Sequence, residues 1–152
     1  MRIIVMGTGP FAVPMFESIL AAGHDVPVVV TRPLPPARGR KKPATNPVRE
    51  AADQHGLKLL DPADVNAADI VAELADLKAD LLVVCDFGQI LSPATLGVAP
   101  LGGINLHGSL LPQYRGAAPV QWAIINGDAT TGVTVIHMTP KLDGGPALCQ
   151  LE

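Results

Sequence analysis

Apolar runs and helix-spaced apolar positions take turns along the chain. Residues 2–6, RIIVM, read as a buried strand, and FAVPMFESILAAG follows with Phe16, Ile19 and Leu20 at helical spacing before Gly23. VPVVV predicts a second strand. NPVREAADQHG predicts a helix with Asn46 as N-cap, Pro47 at the first helical position and Gly56 just past the end. LKLL is a short third strand. NAADIVAELADLKA sets Ile70, Leu74 and Leu77 on one helical face, and LLVVC is an apolar run suited to burial on both sides. Beyond a helical start at Ser92-Pro93 come the strand GINLH, the helix APVQWAIIN closed by Gly127, and the strands GVTVIHM and PALCQLE.

Repeated alternation of this kind predicts an α/β fold, doubly wound around a mostly parallel sheet, with ligands beyond the carboxyl ends of its strands. A chain of 152 residues is one domain and long enough to bury a core unaided. The last strand runs to Glu152 without a polar tail, so the fold is expected to be truncated after LDGGPAL and the natural polypeptide to continue.

Composition removes several classes of function. Apolar residues make up 48 %, yet no run approaches the length of a bilayer span, and Met1 leads at once into IIVM rather than a leader, so a cytoplasmic protein with no membrane partner is expected. Cys85 and Cys149 form no CxxC and are expected to be reduced, largely buried thiols. His24, His55, His107 and His137 show no ligand spacing, so no metal is expected. Charge is uneven: Arg32, Arg38, Arg40, Lys41, Lys42 and Arg49 give their segment +6, leaving the rest at −9 against an overall −3. One basic, proline-rich loop on an acidic body points to a local contact with a polyanion, or to a solvated loop.

GTGPFA, residues 7–12, follows the first strand as a dinucleotide fingerprint would. The second strand, however, ends in Thr31-Arg32 rather than an acid. Arg32 suits a 2′-phosphate, but Pro10 and Pro14 remove backbone N–H groups from the phosphate-facing turn, so the glycines read better as giving the backbone close approach to a substrate. In GINLH, strand alternation sends Asn105 and His107 to one face at the strand's carboxyl end. The bland alternative is a pair of core polar groups bonded to backbone. Gly102, Gly103 and Gly108 clear space around them, and SLLPQYRG supplies backbone amides able to grip a planar heterocycle. An imidazole doing acid–base work needs an orienting carboxylate. Asp143 in KLDGGPAL is the first candidate, Asp86 in VVCDFGQIL the rival, and spacing alone does not decide.

Taken together, GTGPFAVP, NLHGSLLPQYRGAAPVQWAIINGD, TGVTVIHM and LDGGPAL resemble the N-terminal domain of the methionyl-tRNA formyltransferases, from residue 1 to residue 152. The resemblance implies a Rossmann-like formyltransferase fold and 10-formyltetrahydrofolate as formyl donor, without a metal. It places Asn105, His107 and Asp143 on the family's catalytic Asn, His and Asp, and Asp86 in a pocket or structural role. It assigns folate binding to Phe87, Gly88, Gln89, Ile90, Ser109, Leu110, Leu111, Pro112, Tyr114, Arg115 and Gly116. It assigns the acceptor end of initiator methionyl-tRNA to Arg38, Arg40, Lys41 and Lys42, although ARGRKK shifts the family's usual AGRGKK and leaves the choice between Arg38 and Arg40 open. Residues 1–152 would be an incomplete N-terminal domain without the family's C-terminal open β-barrel, and no obligate protein partner is implied. The same site serves amino-sugar nucleotide, glycinamide ribonucleotide and water acceptors in related enzymes, and a non-catalytic or NADP-binding α/β module is the reading from another class.

Overall fold

The computed structural model describes residues 1–35 and 46–152. Its elements are β1 (Ile3–Gly7), α1 (Ala12–Ala21), β2 (Val29–Val30), α2 (Pro47–Gln54), β3 (Leu59–Leu60), α3 (Ala68–Asp76), β4 (Leu81–Cys85), α4 (Pro93–Leu96), β5 (Gly103–His107), α5 (Pro119–Asn126), β6 (Val133–His137) and β7 (Ala147–Leu151). The strands form one seven-stranded sheet in the order β3-β2-β1-β4-β5-β6-β7. The first five are parallel; β6 and β7 join antiparallel. The doubly wound, mostly parallel α/β sheet is therefore present, with an antiparallel hairpin closing one side.

Strand alternation divides the core into two layers. Ile4, Met6, Leu82 and Val84 pack with Leu74 and Val65 on one face, while Ile3, Val5, Val83 and Cys85 pack with Phe16, Val48 and Ala52 on the other. Phe16 is fully buried, which is worth about 1.5–3 kcal/mol over leaving it exposed. Two of the expected strands are shorter than their sequence runs. Pro27 has no N–H to give the ladder, and only Val29–Val30 of VPVVV and Leu59–Leu60 of LKLL form strand. At the start of α2 the Asn46 side chain accepts from Arg49 N at 3.1 Å, as an N-cap should, and donates to Thr31 Oγ1 at 2.6 Å, tying the helix to the end of β2.

The thiols depart from expectation. Cys85 is buried, but Cys149 is exposed, because β7 is paired only through β6 among the described residues and every one of its residues is exposed.

Candidate active site

The order of strands reverses between β1 and β4, and the crevice predicted for such a sheet lies beside that point. A cavity of about 760 Å³ opens there, walled by residues 86–91 after β4, 105–108 of β5, 116–121 at the head of α5, and 138–143 after β6. Asn105 and His107 both line it; Leu106 borders it as well, although it packs with Ile104 against the opposite layer.

Asp143 arrives by an indirect route. Met138 N donates to Gly103 O at 2.8 Å, at the start of β5, yet Asp143 reaches His107 at its end, so the connection from β6 to β7 travels back along β5. Two features permit that path. Asp143 sits at φ +42, and a Cβ on Gly145 would lie 1.7 Å from the carbonyl oxygen of His137. The Asp143 carboxylate accepts from Gly116 N at 2.8 Å and lies 3.7 Å from His107 Nδ1. That gap is wider than a direct hydrogen bond, and such contacts commonly tighten when substrate binds. The other ring nitrogen, Nε2, stands 2.8 Å from the carbonyl oxygen of Tyr114. His107 is thus buried with an oxygen acceptor beside each nitrogen.

Asp86 also lines the cavity, at φ +47. Its carboxylate leans over the glycine turn: a Cβ on Gly9 would fall 1.9 Å from Oδ2. Gly9 therefore makes room for an acid rather than for a phosphate, and a carboxylate in that turn repels the pyrophosphate of a dinucleotide. Burial of its inner edge pushes the Asp86 pKa up. Burial, then the Asp86 charge, pushes the neighbouring Cys85 thiol up to about 12.

The remaining expected binding residues divide. Phe87, Gly88, Gln89, Ile90 and Gly116 line the cavity; Ser109, Leu110, Leu111, Pro112, Tyr114 and Arg115 do not. Gln89 turns its amide away, accepting from Val65 N and donating to Pro62 O, and Asn66 Nδ2 donates to Ile90 O. This wall is braced from behind and leaves backbone groups for a ligand. The SLLP segment is braced as well. Thr134 Oγ1 donates to Ser109 O at 2.7 Å and accepts from Leu111 N at 3.0 Å, and Ser109 Oγ donates to Gln113 O at 2.6 Å. Ser109 is thereby fully buried, and the Leu111–Pro112 bond is cis. Tyr114 meets His107 through its carbonyl. Arg38, Arg40, Lys41 and Lys42 fall outside the described residues.

Cavity residues that sequence reasoning missed include Phe11, Pro119, Val120, Met138 and Lys141. A signal for the last two was present: MTPKLDGG joins a strand end to Asp143, and any path delivering Asp143 to His107 had to carry them along. Among the described residues no three His, Cys, Asp or Glu side chains converge as a metal site, and no helix is long and apolar enough to cross a membrane.

The fold is that of formyltransferase-type α/β proteins. A phosphoribosylglycinamide formyltransferase from Bacillus halodurans superposes with a TM-score of 0.79 at 21 % identity, over 99 % of this chain and 78 % of that one. A sugar N-formyltransferase from Shewanella gives 0.67 at 21 % identity, over 99 % of this chain and 56 % of its own. The sequence is more specific: the chain belongs to the Formyl transferase family, whose pattern it matches over residues 1–152. It is 59 % identical over 150 residues to methionyl-tRNA formyltransferase of Rhodopirellula baltica, covering 96 % of this chain and 45 % of that protein. It is 47 % identical over 152 residues to the methionyl-tRNA formyltransferase of Ruminiclostridium cellulolyticum, covering 49 % of that protein. The chain spans about half the length of these curated relatives.

Proposed function

We propose that this chain forms the donor-binding and catalytic half of an enzyme that moves a formyl group from 10-formyltetrahydrofolate to the α-amine of methionyl-tRNA, in the cytoplasm. The observation that carries the reading is the convergence of Asn105, His107 and Asp143 on one cavity. Similarity to proteins named for that reaction supports the choice of acceptor.

Methionine's amine attacks the formyl carbon, the carbonyl electrons move to oxygen, and the new C–N bond forms before the bond to folate N10 breaks. The Asn105 amide supplies a donor to the oxyanion; one such donor is typically worth about 3–4 kcal/mol. Asp143 takes the proton shed by the attacking amine, directly or through water, and the His107–Asp143 pair holds it until N10 departs and needs it. Gly116 N keeps the carboxylate aimed while His107 Nε2 stays on the Tyr114 carbonyl. The braced backbone of residues 87–90 offers amide edges to the pterin. In this reading Arg38, Arg40, Lys41 and Lys42 meet the phosphates of the acceptor end, releasing counterions.

The experiment is a choice of acceptors. The full gene product is given 10-formyltetrahydrofolate with methionyl-tRNA, glycinamide ribonucleotide or an amino-sugar nucleotide, and the formylated product is identified by mass. Formyl-methionyl-tRNA is the expected product. Formylation of a small amine alone overturns the acceptor, and binding of NADPH but not of a tetrahydrofolate analogue overturns the class.

A further inference from the structure

Tyr114 has a bulky side chain at φ +52, a region such residues seldom occupy unless held there. Something holds it. Its hydroxyl donates to Asp128 Oδ2 at 2.6 Å and accepts from Asn126 Nδ2 at 3.0 Å. Both partners belong to the C-terminal end of α5. Asn126 is the helix's last residue, Gly127 ends it at φ +69, and Asp128 N donates back to Ala123 O at 3.0 Å. The bond to Asp128 also pushes the Tyr114 hydroxyl's pKa up, as expected of a donor facing an anion. The opposite end of the same residue carries the carbonyl that faces His107 Nε2 at 2.8 Å. One residue therefore connects the far end of α5 to the ring of the central imidazole.

We propose that Tyr114 is a positioning residue: clamped by Asp128 and Asn126, it holds its carbonyl on His107 Nε2 and so fixes which edge of the ring faces Asp143. The inference rests on the reading of His107 as part of the reacting site, and it adds residues that never touch the cavity. Neither Tyr114, Asn126 nor Asp128 lines it. A ring whose Nε2–H is fixed by a carbonyl presents Nδ1 toward the carboxylate in every turnover. Without the clamp the left-handed residue relaxes, the carbonyl swings away, and the ring is free to exchange its two nitrogens.

The test uses Tyr114→Phe, which keeps the aromatic ring and loses only the hydroxyl, together with Asp128→Ala and Asp128→Asn. One readout is the pair of ¹⁵N signals of the His107 imidazole, recorded on the full gene product. Tyr114→Phe and Asp128→Ala should move both signals toward those of a ring averaging its two tautomers, whereas Asp128→Asn, which keeps an oxygen acceptor, should leave them near the parent's. The second readout is formyl transfer by the full gene product: kcat should fall about 10- to 100-fold in Tyr114→Phe, while KM for the formyl donor changes less than about threefold. Asp128→Ala should show a similar fall, and Asp128→Asn should keep most of the parent's kcat. Imidazole signals that stay put in Tyr114→Phe overturn the proposal whatever the activity. A fall in activity that only tracks the loss of folded protein at the assay temperature, with Asp128→Asn no better than Asp128→Ala, overturns it too. Signals that move in a protein transferring no formyl group support the clamp and overturn the functional reading instead.

Discussion

Among the described residues, five that are not glycine hold φ above zero: Lys78, Asp86, Tyr114, Ala118 and Asp143. All but Lys78 border the cavity or touch His107. Strained backbone at a site is maintained because packing around it over-determines the conformation. Asn105→Ala should therefore lower kcat by about 10²–10³ while leaving affinity for a folate analogue within about threefold, the signature of a donor used in the transition state. Turnover rates and calorimetric titration read the two quantities, and an unchanged kcat removes Asn105 from the mechanism. Asp86 gives a prediction with a sign. Its pKa is raised in the folded state, so its charged form costs stability above that pKa and the cost fades as pH falls through it. Asp86→Asn keeps a residue tolerant of φ +47 and loses the charge. It should raise the melting temperature at neutral pH, with the gain shrinking on acidification. Thiol titration separates the cysteines: Cys149, exposed, should react at once, and Cys85, buried with its pKa pushed up to about 12, only when denaturant unfolds the chain.

Elements were more legible than their pairing. The 3.6 and 2 periodicities suffice to mark α1 through Phe16, Ile19 and Leu20, and β5 through the split of Ile104 from Asn105, because burial enforces them residue by residue. Strand lengths are set by hydrogen bonds, which side-chain pattern does not report, so VPVVV shrank to Val29–Val30. Loops were read least well. SLLPQYR read as a source of backbone amides for a heterocycle; in the structure Thr134 holds its backbone at Ser109 and Leu111, the Ser109 and Tyr114 hydroxyls are taken by Gln113 O and Asp128, and the segment meets His107 through the Tyr114 carbonyl. No sequence pattern separates a backbone contact from a side-chain contact. The β6–β7 connection makes this concrete at Gly145, where the missing Cβ is what lets the chain cross the His137 carbonyl. Gly145→Ala should destabilise the protein by about 1–3 kcal/mol or more, as forced overpacking does, and separate Asp143 from His107. Thermal melts would register the first effect; a melting temperature equal to that of the parent would contradict the path described.

At the scale of the molecule, apolar surface is left open on α5 and on β7. Trp122, Ile124 and Ile125 of α5 are at least half exposed, as are Leu148 and Leu151 of β7, whose outer edge carries backbone groups with no strand beside them among the described residues. Exposed edges and apolar side chains of that kind favour association. Residues 1–152 produced alone should self-associate, and Ile124→Lys with Leu151→Lys should shift the species seen by light scattering toward the monomer; a monomeric parent would argue against it. The antiparallel hairpin has a further meaning. The imidazole and the amide stand on β5, whereas Asp143 comes from the connection between β6 and β7, the two antiparallel strands that extend the same sheet beyond β5. Thr134 to His137 pair residue by residue with Ile104 to His107, so a change in the hairpin reaches the strand that carries Asn105 and His107 as well as the carboxylate. In a fold arranged this way the carboxylate and the pair on β5 are coupled through one ladder, and a slip of register in the hairpin parts Asp143 from His107.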